Sequence, residues 1–284
     1  MKKSFLISMG IVILFFSDLA AKDLLTWQVV HWPPFQMLEG LDKGQGRFDA
    51  LLELYKTNLP QYEHKTIAIN WARFFNEIKK GEKICSIFII RTKKRDTFAW
   101  FSKPASIGLP LRIMMRESSI ETLGSRNPIS IVTLVKDNRF RGILVNKRSY
   151  YTVMDTILED YASLGTVKRL ATPEESIIQM LLADRADYTI EYPFVANYMA
   201  NKFQAEYDTK IESIPIKELQ EYGQSRCACP KNDWGKKVIE DFDKMLERVK
   251  RTPEFLKIMQ MYHTDPKELE EIRQQVTKII INTE

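Results

Sequence analysis

The residues from Ile84 to Ile90, ICSIFII, constrain the fold of this chain more than any others. A strand that is apolar at nearly every position must be covered on both faces, which is the situation of a central strand in a helix-flanked, usually parallel sheet. The upstream segments fit that setting. Leu24–Val30 is a short apolar strand candidate, broken by His31-Trp32-Pro33-Pro34-Phe35, where two prolines remove backbone donors. A helix from Arg47 to about Asn58 carries Phe48, Leu51, Leu52 and Tyr55 on one stripe. Lys65–Asn70 alternates and is β-branched, as strands are. Trp71–Lys80 places Phe74, Phe75 and Ile78 at helical spacing, and Gly81 follows as a terminating cap. The first ninety residues therefore read β, α, β, α, β, an α/β order.

The same order recurs without a detectable sequence repeat. Strand candidates at Phe140–Val145, Val167–Leu170 and Tyr188–Glu191 alternate with helices. One helix is expected to start at a Ser149 cap and run through Leu158. Another opens at Thr172-Pro173-Glu174-Glu175, with Pro in its first turn and acids near the positive end of its dipole. Its expected buried stripe is Ile177, Met180, Leu181 and Leu182. Ile211–Ile216 and Arg226–Cys229 are further strand candidates, and helices are expected from Asn232 or Asp233 through Arg248 and from Thr252. The tail from Asp265 is helical, with Leu269, Ile272, Val276 and Ile279 on one stripe.

Composition narrows the function classes. The 284 residues are 44% hydrophobic and 28% charged, which excludes a disordered chain and allows roughly two domains. A net charge of +5, from 42 basic and 37 acidic residues of well-mixed sign, does not suggest a nucleic-acid binder. Three histidines, at 31, 64 and 263, and three cysteines lack metal-ligand spacing. Neither common phosphate-binding glycine loop is present, so no cofactor is expected. Lys2 and Lys3, an apolar run from Phe5 to Phe16 and a small-residue end at Ser17–Ala21 predict a secretory signal peptide over residues 1–21. Cleavage after Ala21 would leave a soluble, exported product, since the apolar run is shorter than a bilayer span.

Several local patterns then fall in one order. They are Trp32-Pro33-Pro34-Phe35, Gly46-Arg47-Phe48-Asp49-Ala50-Leu51-Leu52, Trp71 opening a helix, Thr92-Lys93-Lys94-Arg95, Phe101-Ser102-Lys103-Pro104, and the run from Glu175 to Tyr188. Together they resemble the bacterial extracellular solute-binding proteins of family three, the amino-acid-binding class, over essentially the whole mature chain. The resemblance implies a type II periplasmic-binding fold, with two α/β lobes joined by two crossing strands and a ligand trapped by hinge closure. The crossings would lie near Leu109–Arg116 and Ile211–Lys217. Lobe one would comprise residues 22–112 and 215–284, and lobe two residues 113–214.

The resemblance also implies roles. Thr92 and Arg95 match the family's Thr-x-x-Arg motif, whose arginine grips a ligand carboxylate bidentately. Trp32 and Trp71 align with aromatics that sandwich the ligand, while Phe35 reads as packing. Ser149 and Tyr150 fall at a helix N-terminus that offers donors to an anion. Tyr192 stands where the family has an aspartate for the ligand's amino group, with Glu191 beside it; strand alternation would point Glu191 to the opposite face. The bulky Ile87–Ile90 run replaces the family's small or hydroxyl residues. In this fold the returning strand lies beside the third strand, so Cys85 would meet Cys227 or Cys229; a bond between Cys227 and Cys229 themselves would be strained.

The expected function is a monomeric periplasmic protein that traps a small, carboxylate-bearing solute for an ABC importer or a membrane sensor, without catalysis. Two other readings stand beside it. One is a degenerate interaction protein with a filled cleft. The other is an enzyme on the same scaffold, for which Glu191 is the one cleft acid and His31 a residue of the cleft mouth.

Overall fold

The computed structural model describes residues 22–203, 205–219 and 222–282; the expected leader at 1–21 lies outside the described residues. From Asp23 the chain runs through β1 (Asp23–Val29), α1 (Arg47–Thr57), β2 (Tyr62–Ala68), α2 (Trp71–Lys79) and β3 (Ile84–Ile89). Two short strands follow, β4 (Ala99–Phe101) and β5 (Ser106–Gly108). A second unit holds β6 (Arg112–Arg116), α3 (Glu117–Leu123), α4 (Ile131–Lys136), β7 (Gly142–Val145), α5 (Thr152–Asp160), β8 (Val167–Leu170), α6 (Glu174–Leu182), β9 (Tyr188–Glu191), α7 (Pro193–Lys202) and β10 (Ile211–Pro215). The chain ends in β11 (Gly223–Pro230), α8 (Asp233–Val249), α9 (Pro253–Met259) and α10 (Pro266–Gln275).

These elements form two sheets, one in each lobe. The first has the order β2–β1–β3–β11–β4, with β5 against β11. β1 is parallel to β2 and β3, whereas β11 returns antiparallel to β3. The fully apolar run therefore sits in mid-sheet, and every residue of β3 is buried. The second sheet has the order β10–β6–β9–β7–β8, parallel at β7–β8 and β7–β9 and antiparallel elsewhere. The chain crosses between sheets from β5 to β6 and back from β10 to β11. β6 and β10 pair along their whole lengths, with Arg112 opposite Pro215.

The helices follow local rules. Asn232 caps α8 by accepting from the Gly235 amide at 2.8 Å. Position 235 must be glycine, because a Cβ there would lie 2.0 Å from the Pro230 carbonyl oxygen. Val238, Phe242, Met245 and Val249 bury one face of α8, which packs on β11. α6 starts one residue later than its sequence suggests, with Pro173 as the N-cap, and Ile178 rather than Met180 joins the buried stripe. The tail departs from its expected stripe. A π-helical turn, Val276–Ile281, follows α10, so Ile272, Val276 and Ile280 are buried and Ile279 only partly.

Register decides the cysteines. β11 pairs with β3 so that Ala228 faces Ser86, which sets Cys229 opposite Cys85. Cys85 and Cys229 form a disulfide, and Cys227 is a buried free thiol. Burial holds the Cys227 thiol well above the usual range, so it is an inert apolar filler rather than a nucleophile. No helix among the described residues is long and apolar enough to cross a membrane.

Candidate ligand-binding cleft

The two lobes face each other across an aromatic cleft. The His31–Phe35 break folds into a turn in which Trp32 and Gln36 exchange backbone hydrogen bonds of 2.9 Å. The Asp49 carboxylate accepts from the Met37 amide at 2.8 Å and the Gly46 amide at 3.0 Å, which ties this loop to the start of α1. Phe35, Phe48 and Phe88 stack in succession, with centroids 4.5 and 4.8 Å apart. Across from them, the Tyr151 and Tyr192 hydroxyls lie 3.0 Å apart. The space left is about 50 Å³, room for a few waters rather than an organic solute. Phe88, Ile89 and Ile90 line it, and their bulk is one reason it is small.

A second reason is an ion pair supplied by the chain itself. Arg148 meets Glu191 with two parallel bonds of 2.6 and 2.7 Å, both side chains being buried. The Arg148 guanidinium lies 4.5 Å from the Trp32 ring, a contact between lobes, and 5.0 Å from Tyr150. The backbone on either side is left-handed at non-glycine residues, Lys147 (φ 61°) and Tyr151 (φ 73°), a cost met only where surroundings hold the loop in place. Glu191 also accepts from the Tyr192 amide at 2.8 Å. Strand alternation does not send Glu191 away from the cleft, because β9 ends at Glu191 and Tyr192 is already the N-cap of α7.

Arg95 and Thr92 lie in the turn after β3. The Thr92 hydroxyl accepts from the Arg95 amide at 3.3 Å, so it shapes the turn. The Arg95 guanidinium sits 4.4 Å from the Phe75 ring and donates to two backbone carbonyls, Ile90 at 2.6 Å and Lys147 of the other lobe at 3.2 Å. Burial pushes its pKa down to about 10, with only partial relief from Asp155. Among the described residues, no carboxylate lies at ion-pair distance from it. Ser149 does not cap α5: the helix opens at Thr152 with Tyr151 as N-cap, and the Ser149 hydroxyl donates to the Asp155 carboxylate. Tyr150 is a support; its buried hydroxyl accepts from the Val145 amide at 3.0 Å, and Tyr151 takes the place at the cavity wall.

Trp71 bridges the lobes by donating from Nε1 to Glu174 at 3.4 Å. Burial raises the Glu174 carboxyl to about 7, although Arg148 works in the other direction. Because the folded pKa lies above the ordinary 4.5, the stabilising effect is complete below 4.5 and is lost as pH rises through about 7. The expected loss between pH 4.5 and 8 is on the order of 3 kcal/mol, read by denaturant unfolding. Glu174→Gln should flatten this dependence, and an unchanged slope in that variant would place the titration elsewhere.

Sequence reasoning missed Arg148, Glu174, Tyr151 and Arg47. Arg47 is 1% exposed, with its pKa pushed down to about 10 by burial. It donates to the Ile107 and Met259 carbonyls, stacks 5.1 Å from Phe35, and its Nε has no hydrogen-bond partner. The one available signal was its place in the Gly46–Leu52 motif, where a charge is out of keeping with a helix stripe of Phe48, Leu51 and Leu52. His31 lies at the cleft mouth. Its Nδ1 accepts from the Leu38 amide at 3.1 Å and its Nε2 is 3.5 Å from Glu175 of the second lobe.

No protein-family model matches this chain, and no curated protein matches it significantly. Solved structures do. The arginine-, lysine-, histidine-binding protein ArtJ from Geobacillus stearothermophilus is 18% identical and superposes with a TM-score of 0.68, covering 89% of this chain and 100% of that one. A histidine kinase sensor domain with similarity to periplasmic binding proteins is 16% identical, with a TM-score of 0.66 over 85% of this chain and 96% of its own. A structure from work on glutathione import through GshT and the cystine ABC importer TcyBC of Streptococcus mutans gives 14% identity and a TM-score of 0.65, covering 85% and 94%. Two mixed sheets flanked by helices, two crossings and a cleft between lobes, together with these superpositions, give this chain the two-lobed fold of the periplasmic binding proteins.

Proposed function

We propose that this protein is an exported solute-binding protein, a divergent relative of family three, that holds a small carboxylate-bearing ligand between its lobes for an ABC importer or a membrane sensor. The observation that carries this reading is Arg95, a half-buried guanidinium at the lobe boundary that has backbone carbonyls for partners and, among the described residues, no carboxylate at ion-pair distance. The lobes would divide at 112 and 215, which form one residue pair of the β6–β10 ladder, a natural place for a hinge. Trp32, Trp71 and Tyr192 would contact the ligand directly, with Thr92, Ser149 and Tyr150 positioning their neighbours. Glu191 is already neutralised by Arg148, which argues against a ligand whose α-amino group needs a free acid.

Thermal unfolding against a library of carboxylate solutes tests this. A ligand at a hundredfold excess over its Kd should add about 2.7 kcal/mol of stability, and Arg95→Ala should abolish the shift. A shift retained in that variant would remove Arg95 from the site.

The second reading, a sensor or interaction module with a filled cleft, is favoured by one observation. The Arg148–Glu191 pair of the second lobe presents its guanidinium to the Trp32 ring of the first and fills part of the cleft. On this reading no small solute shifts the unfolding midpoint.

A further inference from the structure

Just outside the aromatic cavity, the cleft opens into a chamber of about 540 Å³, far roomier than the interior. Its walls come from both lobes: α2 and the turn after β3 on one side, the β7–α5 loop, α5 and β8 on the other. Five cationic side chains, Lys79, Lys94, Arg95, Lys147 and Arg169, face two carboxylates, Asp155 and Glu159. Asp155 is already engaged by the Ser149 hydroxyl, the Tyr150 amide at 2.9 Å and Arg169 at 3.5 Å. Arg148 also reaches the chamber wall, but its charge is cancelled by Glu191. Among the described residues, Arg169 is the only one of the five cations with a carboxylate at ion-pair distance.

We infer that the ligand's charged groups lie in this chamber, beside the aromatic cavity, and that the ligand is a small solute carrying at least two negative charges, as a polycarboxylate or a phosphate ester is. The inference rests on the reading of Arg95 as a ligand contact and deepens it. Like charges from two lobes line one open cleft, with Lys79, Lys94, Lys147 and Arg169 exposed around it, and a doubly charged anion can be met from both sides at once. Lys79 and Lys94 stand on the first lobe and Lys147 and Arg169 on the second, so two anionic groups on one solute could each meet a different lobe. Arg95 ties the two halves, since it belongs to the first lobe and donates to the Lys147 carbonyl of the second at 3.2 Å. Filling the chamber would therefore favour the closed arrangement.

The experiment is isothermal titration of the mature protein with citrate, with pyrophosphate and with arginine, at ionic strength held constant with sodium chloride. It is repeated on Lys94→Glu/Lys147→Glu, two exposed positions whose reversal leaves the fold intact, as its unchanged melting temperature without ligand should show. The expected result is binding of citrate or pyrophosphate that weakens about tenfold or more in the double variant, with whichever of the two binds naming carboxylate or phosphate as the recognised group. Polyanion binding indifferent to the charge reversal would overturn the inference, as would heats no larger than those of added salt. Binding of a singly charged carboxylate that is lost in Arg95→Ala yet unaffected by the reversal would overturn the inference and leave the cleft reading of Arg95 standing. Absence of binding by any solute would remove both.

Discussion

Arg148→Ala is expected to destabilise the protein by about 3–5 kcal/mol, the largest effect of any single charge removal here. Glu191 is 3% exposed, and among the described residues its carboxylate without Arg148 keeps only the Tyr192 amide as a partner. The cost is that of a buried, uncompensated anion, together with the guanidinium that packs against Trp32 across the lobes. For a chain of this size the melting temperature should fall by about 6–20 °C. Arg148→Met combined with Glu191→Leu should recover most of the loss, because neither charge then has to be desolvated. Equal stability of Arg148→Ala and the parent would mean that the pair is hydrated in solution and does not hold the lobes together. Small-angle scattering on the single variant gives a second readout, since loss of the Arg148–Trp32 contact should let the lobes separate and the radius of gyration rise.

Cleaving the Cys85–Cys229 disulfide is the second large effect. The bond joins residues 144 apart in sequence, and linking a loop of that length restricts the unfolded chain by about 5 kcal/mol in the chain-entropy account. Losses for native disulfides run at about 2–5 kcal/mol, so Cys85→Ala/Cys229→Ala should unfold at clearly lower denaturant. A reducing agent should lower the parent to the same midpoint and leave the double variant where it is. Cys227→Ala, by contrast, removes one sulfur from a buried site and should cost about 1 kcal/mol with no redox dependence. A parent whose midpoint ignores reductant would show that the bond contributes nothing to the folded state.

Much of the fold was legible in local pattern. Apolar runs, helical spacing and helix-start residues located β1, α1, α2, β3, α6, β9, α8 and α9 to within a few residues, because these signals lie within each element. The starts of α8, at Asn232 or Asp233, and of α9, at Thr252, were readable because a side chain bonding its own helix start is a contact only three residues long; Asn232 and Thr252 are the caps. The short elements were less visible. β4, β5 and α4 are too brief to show a period, and they are strands and helices only because a neighbour pairs with or covers them.

Site chemistry divides along the same line. Trp32, Trp71, Arg95 and Tyr192 all reach the cleft wall; the first three were marked by short motifs, and Tyr192 by the position it holds in the resembled family. Arg148 and Glu191 pair across 43 residues, and Trp71 meets Glu174 across 103. Nothing in either local sequence announces the partner, since each residue alone reads as a solvated charge or a helix-start acid. The choice of Cys229 over Cys227 depends on a one-residue register between β3 and β11, and no count of residues along the chain contains that number. The sequence by itself therefore determined the alternation of strands and helices, which is written in contacts a few residues long, while the two-lobed fold was implied by the resemblance its motifs carry. Only the tertiary structure decided which charges are buried, which are paired and where unpaired cations gather, because burial and pairing belong to whichever distant surfaces the lobes bring together.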